Sequence, residues 1–173
     1  MKLARPLSAL AAAVALALAA PALADVTIGV TISTTGPAAS LGIPQKNTID
    51  LLPTSIGGEK VNWIVLDDAS DTTKAVTNAK KLVTEDKVDV IVGSSTTPAS
   101  LAMREVAVDT STPMISLAAS AQIINPADPK TKWIFKTPQS DRLVLQAIAD
   151  HLKKNNLDKV AWMSVATAYG DGG

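Results

Sequence analysis

The chain has 173 residues, with sixteen basic and sixteen acidic side chains, one His and no Cys. Balanced charge without a basic cluster excludes nucleic acid and anionic membrane surfaces as partners. The lack of Cys excludes a disulfide frame, so apolar burial must hold the fold.

In chain order, the first element is an address label. Lys2 and Arg5 give a basic start, Leu7 to Ala20 is apolar, and Ala22-Leu23-Ala24 offers an A-x-A cleavage site. Residues 1–24 therefore read as a cleaved secretory signal peptide, because the apolar stretch is too short to span a bilayer. Its removal takes two basic residues and no acid, which leaves the mature chain slightly acidic.

Six short runs rich in Val and Ile follow. They are Val26 to Ile32, Val61 to Leu66, Val88 to Val92, Pro113 to Leu117, Trp133 to Phe135 and Val160 to Val165. Runs that are apolar throughout suit strands covered on both faces. Between them, Ala75, Val76, Ala79, Leu82 and Val83 mark one helical face over Thr72 to Glu85. Val144, Ala147, Ile148 and Leu152 do the same over Asp141 to Asn155. A shorter helix is expected over Gln45 to Leu52, with Pro44 in its first turn and Pro53 ending it. The alternation predicts an α/β fold with a parallel sheet and helices on both faces.

Ligands of such sheets bind outside the carboxyl ends of the strands. Here those ends read Ser33-Thr34-Thr35-Gly36-Pro37, Asp67-Asp68, Gly93-Ser94-Ser95-Thr96, Ser116 to Ser120, Thr137 to Ser140 and Thr167 to Asp171. Most are rich in hydroxyls. Thr97-Pro98 reads as a helix start with Thr97 as N-cap, which would aim free N–H groups over Gly93 to Thr96. Ser94 and Ser95 add hydroxyl donors, a setting that suits a small carboxylate. Such residues also serve as caps and loop partners, so both readings stay open here.

Enzyme chemistry finds no carrier. G-x-S-x-G, G-x-G-x-x-G and the P-loop pattern are absent, and the one His, His151, lies on the Asp141 to Asn155 helix beside its apolar stripe. No cofactor or metal site is expected. Asp67, Asp68 and Asp71 can be read as metal ligands or as a phosphate acceptor, but a turn with Asp71 capping the next helix is the favoured reading. Trp63, Trp133 and Trp162 sit in apolar runs and are expected in the core.

The stretches "VTIGVTISTTGPAASLG", "VLDDASD", "VDVIVGSSTTPAS", "TPMISLAAS", "FKTPQSD" and "AYGDG" together resemble the periplasmic leucine/isoleucine/valine-binding family of ABC transporters. The resemblance implies a type I periplasmic-binding-protein fold, with two α/β lobes that close on an amino acid or similar small carboxylate. It implies an inner-membrane ABC permease as partner and the periplasm as location. It also implies ligand contacts from Ser94 and Ser95, from Ala118 through its backbone, from Ser120 through its hydroxyl and from Tyr169. Leu41 stands where relatives often carry an aromatic wall. The implied division is a signal peptide at 1–24, a first lobe at 25–138 with a hinge strand near 133–137, and the start of a second lobe at 139–173. Family members are about twice as long, so the chain is expected to be a fragment that binds ligand poorly alone. A membrane receptor's sensing domain would share this fold and is the alternative.

Overall fold

In the computed structural model, residues 25–125 and 127–172 are described, so the expected signal peptide lies outside the described residues. Six strands form one sheet in the order β2-β3-β1-β4-β5-β6. They are β1 (Val26–Ile32), β2 (Ser55–Ile56), β3 (Glu59–Asp67), β4 (Val90–Gly93), β5 (Met114–Ser116) and β6 (Ile134–Lys136). All neighbours run parallel except β2, which folds back on β3. That hairpin was not foreseen. Its two turn residues, Gly57 and Gly58, both have positive φ, the backbone that a tight two-residue hairpin requires.

Alternation along the strands sorts the core into two faces. Ile28, Val30 and Ile32 of β1 pack with Trp63, Val65, Val92, Leu117 and Ile49 on one face. Ile49 belongs to α1 (Ala39–Ile49). The other face is covered by α2 (Thr72–Thr84) and α3 (Thr97–Asp109), whose Ala75, Ala79, Leu82, Ala99, Met103 and Val106 pack on Ile91, Met114 and Ile134. Leu82, Ile91, Met103 and Met114 are fully buried, each contributing about 1.5–3 kcal/mol relative to exposure. The expected parallel α/β sheet with helices on both faces is present.

α2 follows its apolar stripe, and Asp71 caps it as expected, its carboxylate accepting the Lys74 N–H at 2.7 Å. Three expectations need correction. α1 starts at Ala39, so Pro44 lies inside the helix rather than in its first turn. Of α1 only Gly42 and Ile49 are buried, so the helix carries no stripe that would mark its start. The N-cap of α3 is Thr96, one residue before Thr97, and its side chain makes no capping bond. Val160 to Val165 forms no strand. Among the described residues no sixth parallel partner lies beside that run, and a strand without a ladder has no source of stability.

Trp63 and Trp133 are partly buried against the two core clusters. Trp162 is 67% exposed and is not a core residue, because the strand that would have carried it inward does not form. The last helices are α4 (Asp141–Lys154) and α5 (Ala168–Gly172). His151 is exposed near the end of α4.

Candidate functional site

The strand order reverses between β1 and β4. β1 leads through α1 to β3 on one side, whereas β4 leads through α3 to β5 on the other. The crevice at the carboxyl ends of such a pair is where open α/β sheets hold ligands. Gly93 lets β4 approach β1 closely there. Its φ is +130°, and a Cβ on it would stand 1.9 Å from the Thr31 carbonyl oxygen.

A buried polar network fills the crevice. Asp68 is fully buried. One carboxylate oxygen accepts the Ser33 hydroxyl at 2.6 Å and the Ser70 N–H at 2.9 Å, and the other accepts the Ser94 hydroxyl at 2.7 Å. Ser95 accepts the Ser33 N–H at 3.0 Å and donates to Gln45 Oε1 of α1. Ser100, from the first turn of α3, accepts the Ser94 N–H, donates to the Ser94 carbonyl and accepts the Ser116 hydroxyl. These bonds tie the ends of β1, β3, β4 and β5 into one rim.

Asp67 organises the neighbouring loop. Partial burial pushes its carboxyl up, but the Thr35 hydroxyl, the N–H groups of Ala69 and Thr35, and Thr34 together outweigh this and hold it well below the usual carboxylate range. The oxygens of both aspartates are thus taken by donors of the chain itself, as the turn reading requires. Among the described residues no group of three or more His, Asp or Glu is placed to hold a metal.

Counting protons separates what the hydroxyls can do from what the backbone can do. A serine hydroxyl has one proton. Those of Ser33 and Ser94 go to Asp68 and that of Ser95 goes to Gln45, so none is left for an anion. The backbone N–H groups of Ser95, Ala119 and Ser120, by contrast, have no hydrogen-bond partner among the described residues. Ser95 and Ser120 are buried, where an unpaired N–H costs about as much as a lost hydrogen bond. Ser95 follows β4, and Ala119 and Ser120 follow β5, so the three donors lie in loops at the carboxyl ends of adjacent strands.

The sequence-derived residues fall into this frame as follows. Ser94 and Ser95 are buried in the crevice, and the Ser94 carbonyl accepts the Leu117 N–H, which brings the β4 and β5 loops together. The Ala118 N–H is taken by the Ser116 hydroxyl, and its side chain is in the core. Ser120 accepts the Gln122 N–H at 3.3 Å. A Cβ on Gly172 would stand 3.2 Å from the Ser120 hydroxyl, so α5 comes up beside it. Tyr169 of α5 is half exposed and lines a hollow of about 380 Å³ together with Ala119, Gln139, Asp141, Trp162 and Gly170. Ser94, Ser95 and Ser120 do not line that hollow. Asp141, which lines the hollow, has one buried carboxylate oxygen without a hydrogen-bond partner. Leu41 is exposed on α1, one turn before Gln45, and does not reach the hollow.

Gln45 is not marked as a site residue by sequence, Ser33 and Thr96 are marked only as strand-end hydroxyls, and Asp68 is marked as a turn or metal-type carboxylate rather than as the acceptor of Ser33 and Ser94. Thr96 is half-buried, and its hydroxyl has no partner among the described residues. The strand-end rule marks Ser33, Asp68 and Thr96, but only the fold shows which oxygen faces which donor.

The strand order with helices on both faces is that of a doubly wound α/β lobe, whose switch point lies between β1 and β4. Residues 25–173 match the family described as periplasmic binding protein, and the chain belongs to that family. It is 30% identical to a Leu/Ile/Val-binding protein homolog of Brucella melitensis, over 96% of this chain and 46% of that protein. The fold is similar to that of an extracellular ligand-binding receptor from Rhodopseudomonas palustris HaA2. The TM-score is 0.83 at 44% identity, covering 86% of this chain and 41% of the other. It is also similar to a solute-binding protein of an ABC transporter from Rhodopseudomonas palustris BisB5, solved with 3,4-dihydroxybenzoic acid. There the TM-score is 0.79 at 29% identity, covering 86% and 41% of the two chains. The chain thus spans less than half the length of each of these relatives.

Proposed function

We propose that the chain is the first lobe, with the beginning of the second, of a periplasmic solute-binding component of an ABC importer. It takes a small carboxylate, either an amino acid or an aromatic acid, and passes it to an inner-membrane permease. The observation that carries this reading is the group of unpaired N–H groups of Ser95, Ala119 and Ser120, which a carboxylate would satisfy at about 1.5–3 kcal/mol per charged hydrogen bond. The relatives support it, since one is a Leu/Ile/Val-binding homolog and one was solved with an aromatic acid.

Within this reading Ser94 and Ser95 act by holding the rim rather than by donating to the ligand. Ser120 and Ala118 shape the β5 loop, Tyr169 walls the hollow from the second lobe, and Leu41, exposed on α1, would meet ligand only when the two lobes close. Ligand that touches both lobes favours their closed arrangement.

The test is calorimetry on the protein expressed from its whole reading frame, with L-leucine and 3,4-dihydroxybenzoate as probes. At least one should bind, and its amide or methyl ester should bind at least tenfold more weakly, as expected for the loss of about 1.4 kcal/mol or more. Equal binding of acid and ester, or no binding of either acid, overturns the reading.

A further inference from the structure

Lys136, the last residue of β6, makes an unusual set of bonds. Its Nζ donates to the carbonyl oxygens of Ala119 at 2.5 Å, Pro138 at 3.2 Å and Gln139 at 3.2 Å. An ammonium has three protons, so all three are used on backbone, and no salt bridge among the described residues includes this side chain. The residue is half-buried, where hydrogen bonds from a charged donor are stronger than in water.

Two of the three carbonyls belong to walls of the hollow. Ala119 comes from the β5 loop and Gln139 from the segment leading into α4, and both line it. Lys136 therefore ties two separate walls together through their carbonyls. A trans peptide places its N–H on the side opposite its C=O, and the Ala119–Ser120 bond is trans. The ammonium on the Ala119 oxygen draws density out of that peptide, which makes the Ser120 N–H a stronger donor and points it away from Lys136.

We propose that Lys136 is a positioning residue of the binding site: it braces the Ala119 and Gln139 walls against each other and, through the Ala119–Ser120 peptide, strengthens the Ser120 N–H toward a ligand carboxylate. The second half of this rests on the carboxylate reading above. The bracing half stands on geometry alone.

The experiment uses the protein from its whole reading frame with Lys136→Met, which keeps most of the stem and loses the charge, and Lys136→Arg, which keeps the charge. Amide exchange is followed at the hydrogen-bonded amides of two segments, Leu117 and Ala118 on the β5 side and Thr137 and Leu143 on the Gln139 side, with α2 as the reference. The Met variant should exchange about tenfold faster at both segments together while α2 is unchanged, and Arg should restore protection at both. Unchanged exchange in the Met variant, or Arg as loose as Met, overturns the brace. Should the Met variant fail to fold, Lys136→Gln takes its place, since its amide can still reach one carbonyl. In calorimetry the Met variant should bind the carboxylate probe about tenfold more weakly, with the neutral ester, which loses only the brace, weakened clearly less. Equal loss for acid and ester removes the polarising role. A wild type that binds neither probe removes that role together with the carboxylate reading, while the exchange data still decide the brace.

Discussion

The hydroxyls of Ser33 and Ser94 converge on the two oxygens of one buried carboxylate, that of Asp68, at 2.6 and 2.7 Å. Ser33 follows β1 and Ser94 follows β4, so this pair spans the point where the strand order reverses. Both serines and Asp68 are fully buried. The shared carboxylate therefore ties the ends of β1 and β4 together at the switch point.

Asp68→Ala leaves two hydroxyls and the Ser70 N–H without their acceptor. Each unsatisfied buried group costs about 1–3 kcal/mol, so a loss of about 3 kcal/mol or more is expected. Asp68→Asn should cost about 1–2 kcal/mol, because one amide oxygen remains while one hydroxyl must turn. Asp50 is a contrast, exposed and paired only with Lys46 one turn away, and Asp50→Asn should stay within about 0.5 kcal/mol. Urea unfolding with an unchanged slope measures all three. An Asp68→Ala protein as stable as wild type would show that the network adds nothing to the fold.

Asp67 carries an acid dependence of definite sign. Its folded carboxyl is held far below the ordinary value of 3.8 by the Thr35 hydroxyl and the Ala69, Thr35 and Thr34 donors, against the upward push of partial burial. A depressed folded value means the stabilisation is full above the unfolded value and is lost as pH falls below about 3.8 toward the folded one. Asp67→Asn should therefore lower stability at neutral pH and flatten the acid limb below about pH 4. Thermal melts between pH 2 and 7 give the comparison. Parallel pH profiles for the two proteins would mean that the Thr34-Thr35 loop does not hold this carboxylate in solution.

The parts of this fold that announce themselves in sequence are those whose burial is local. β1, β3 and α2 can be read because their apolar positions repeat at strand or helix spacing, and Asp71 because a cap acts three residues away. α1 hides its start, since it buries only Gly42 and Ile49. Val160 to Val165 has strand composition, yet composition forms no strand without a neighbour to bond. The site was legible as a set of hydroxyl-rich strand ends. The division of labour within it was not, because whether Ser94 gives its proton to a ligand or to Asp68 depends on a residue 26 positions away in the chain. The Lys136 clamp is equally silent, as its three acceptors are backbone atoms.

The β6 end of the sheet face that α1 covers gives the last prediction. Val65, Val30, Val92, Ile115 and Phe135 pair in register across β3, β1, β4, β5 and β6, so all five point to one face. Val30 is fully buried, whereas Phe135 at the open edge is 54% exposed. α4 adds to the exposed apolar surface with Leu143, Val144, Leu145 and Ile148, and it buries no residue at all. Exposed apolar side chains on and near an edge strand favour association. Residues 25–173 expressed alone should self-associate in a concentration-dependent way, and Phe135→Lys with Leu143→Lys should shift sedimentation toward monomer because each charge removes apolar area where α1, α2 and α3 offer no cover. A wild-type fragment that sediments as a single monomeric species at every concentration would show that this face is not sticky enough to act, and would leave the two lysine substitutions without effect.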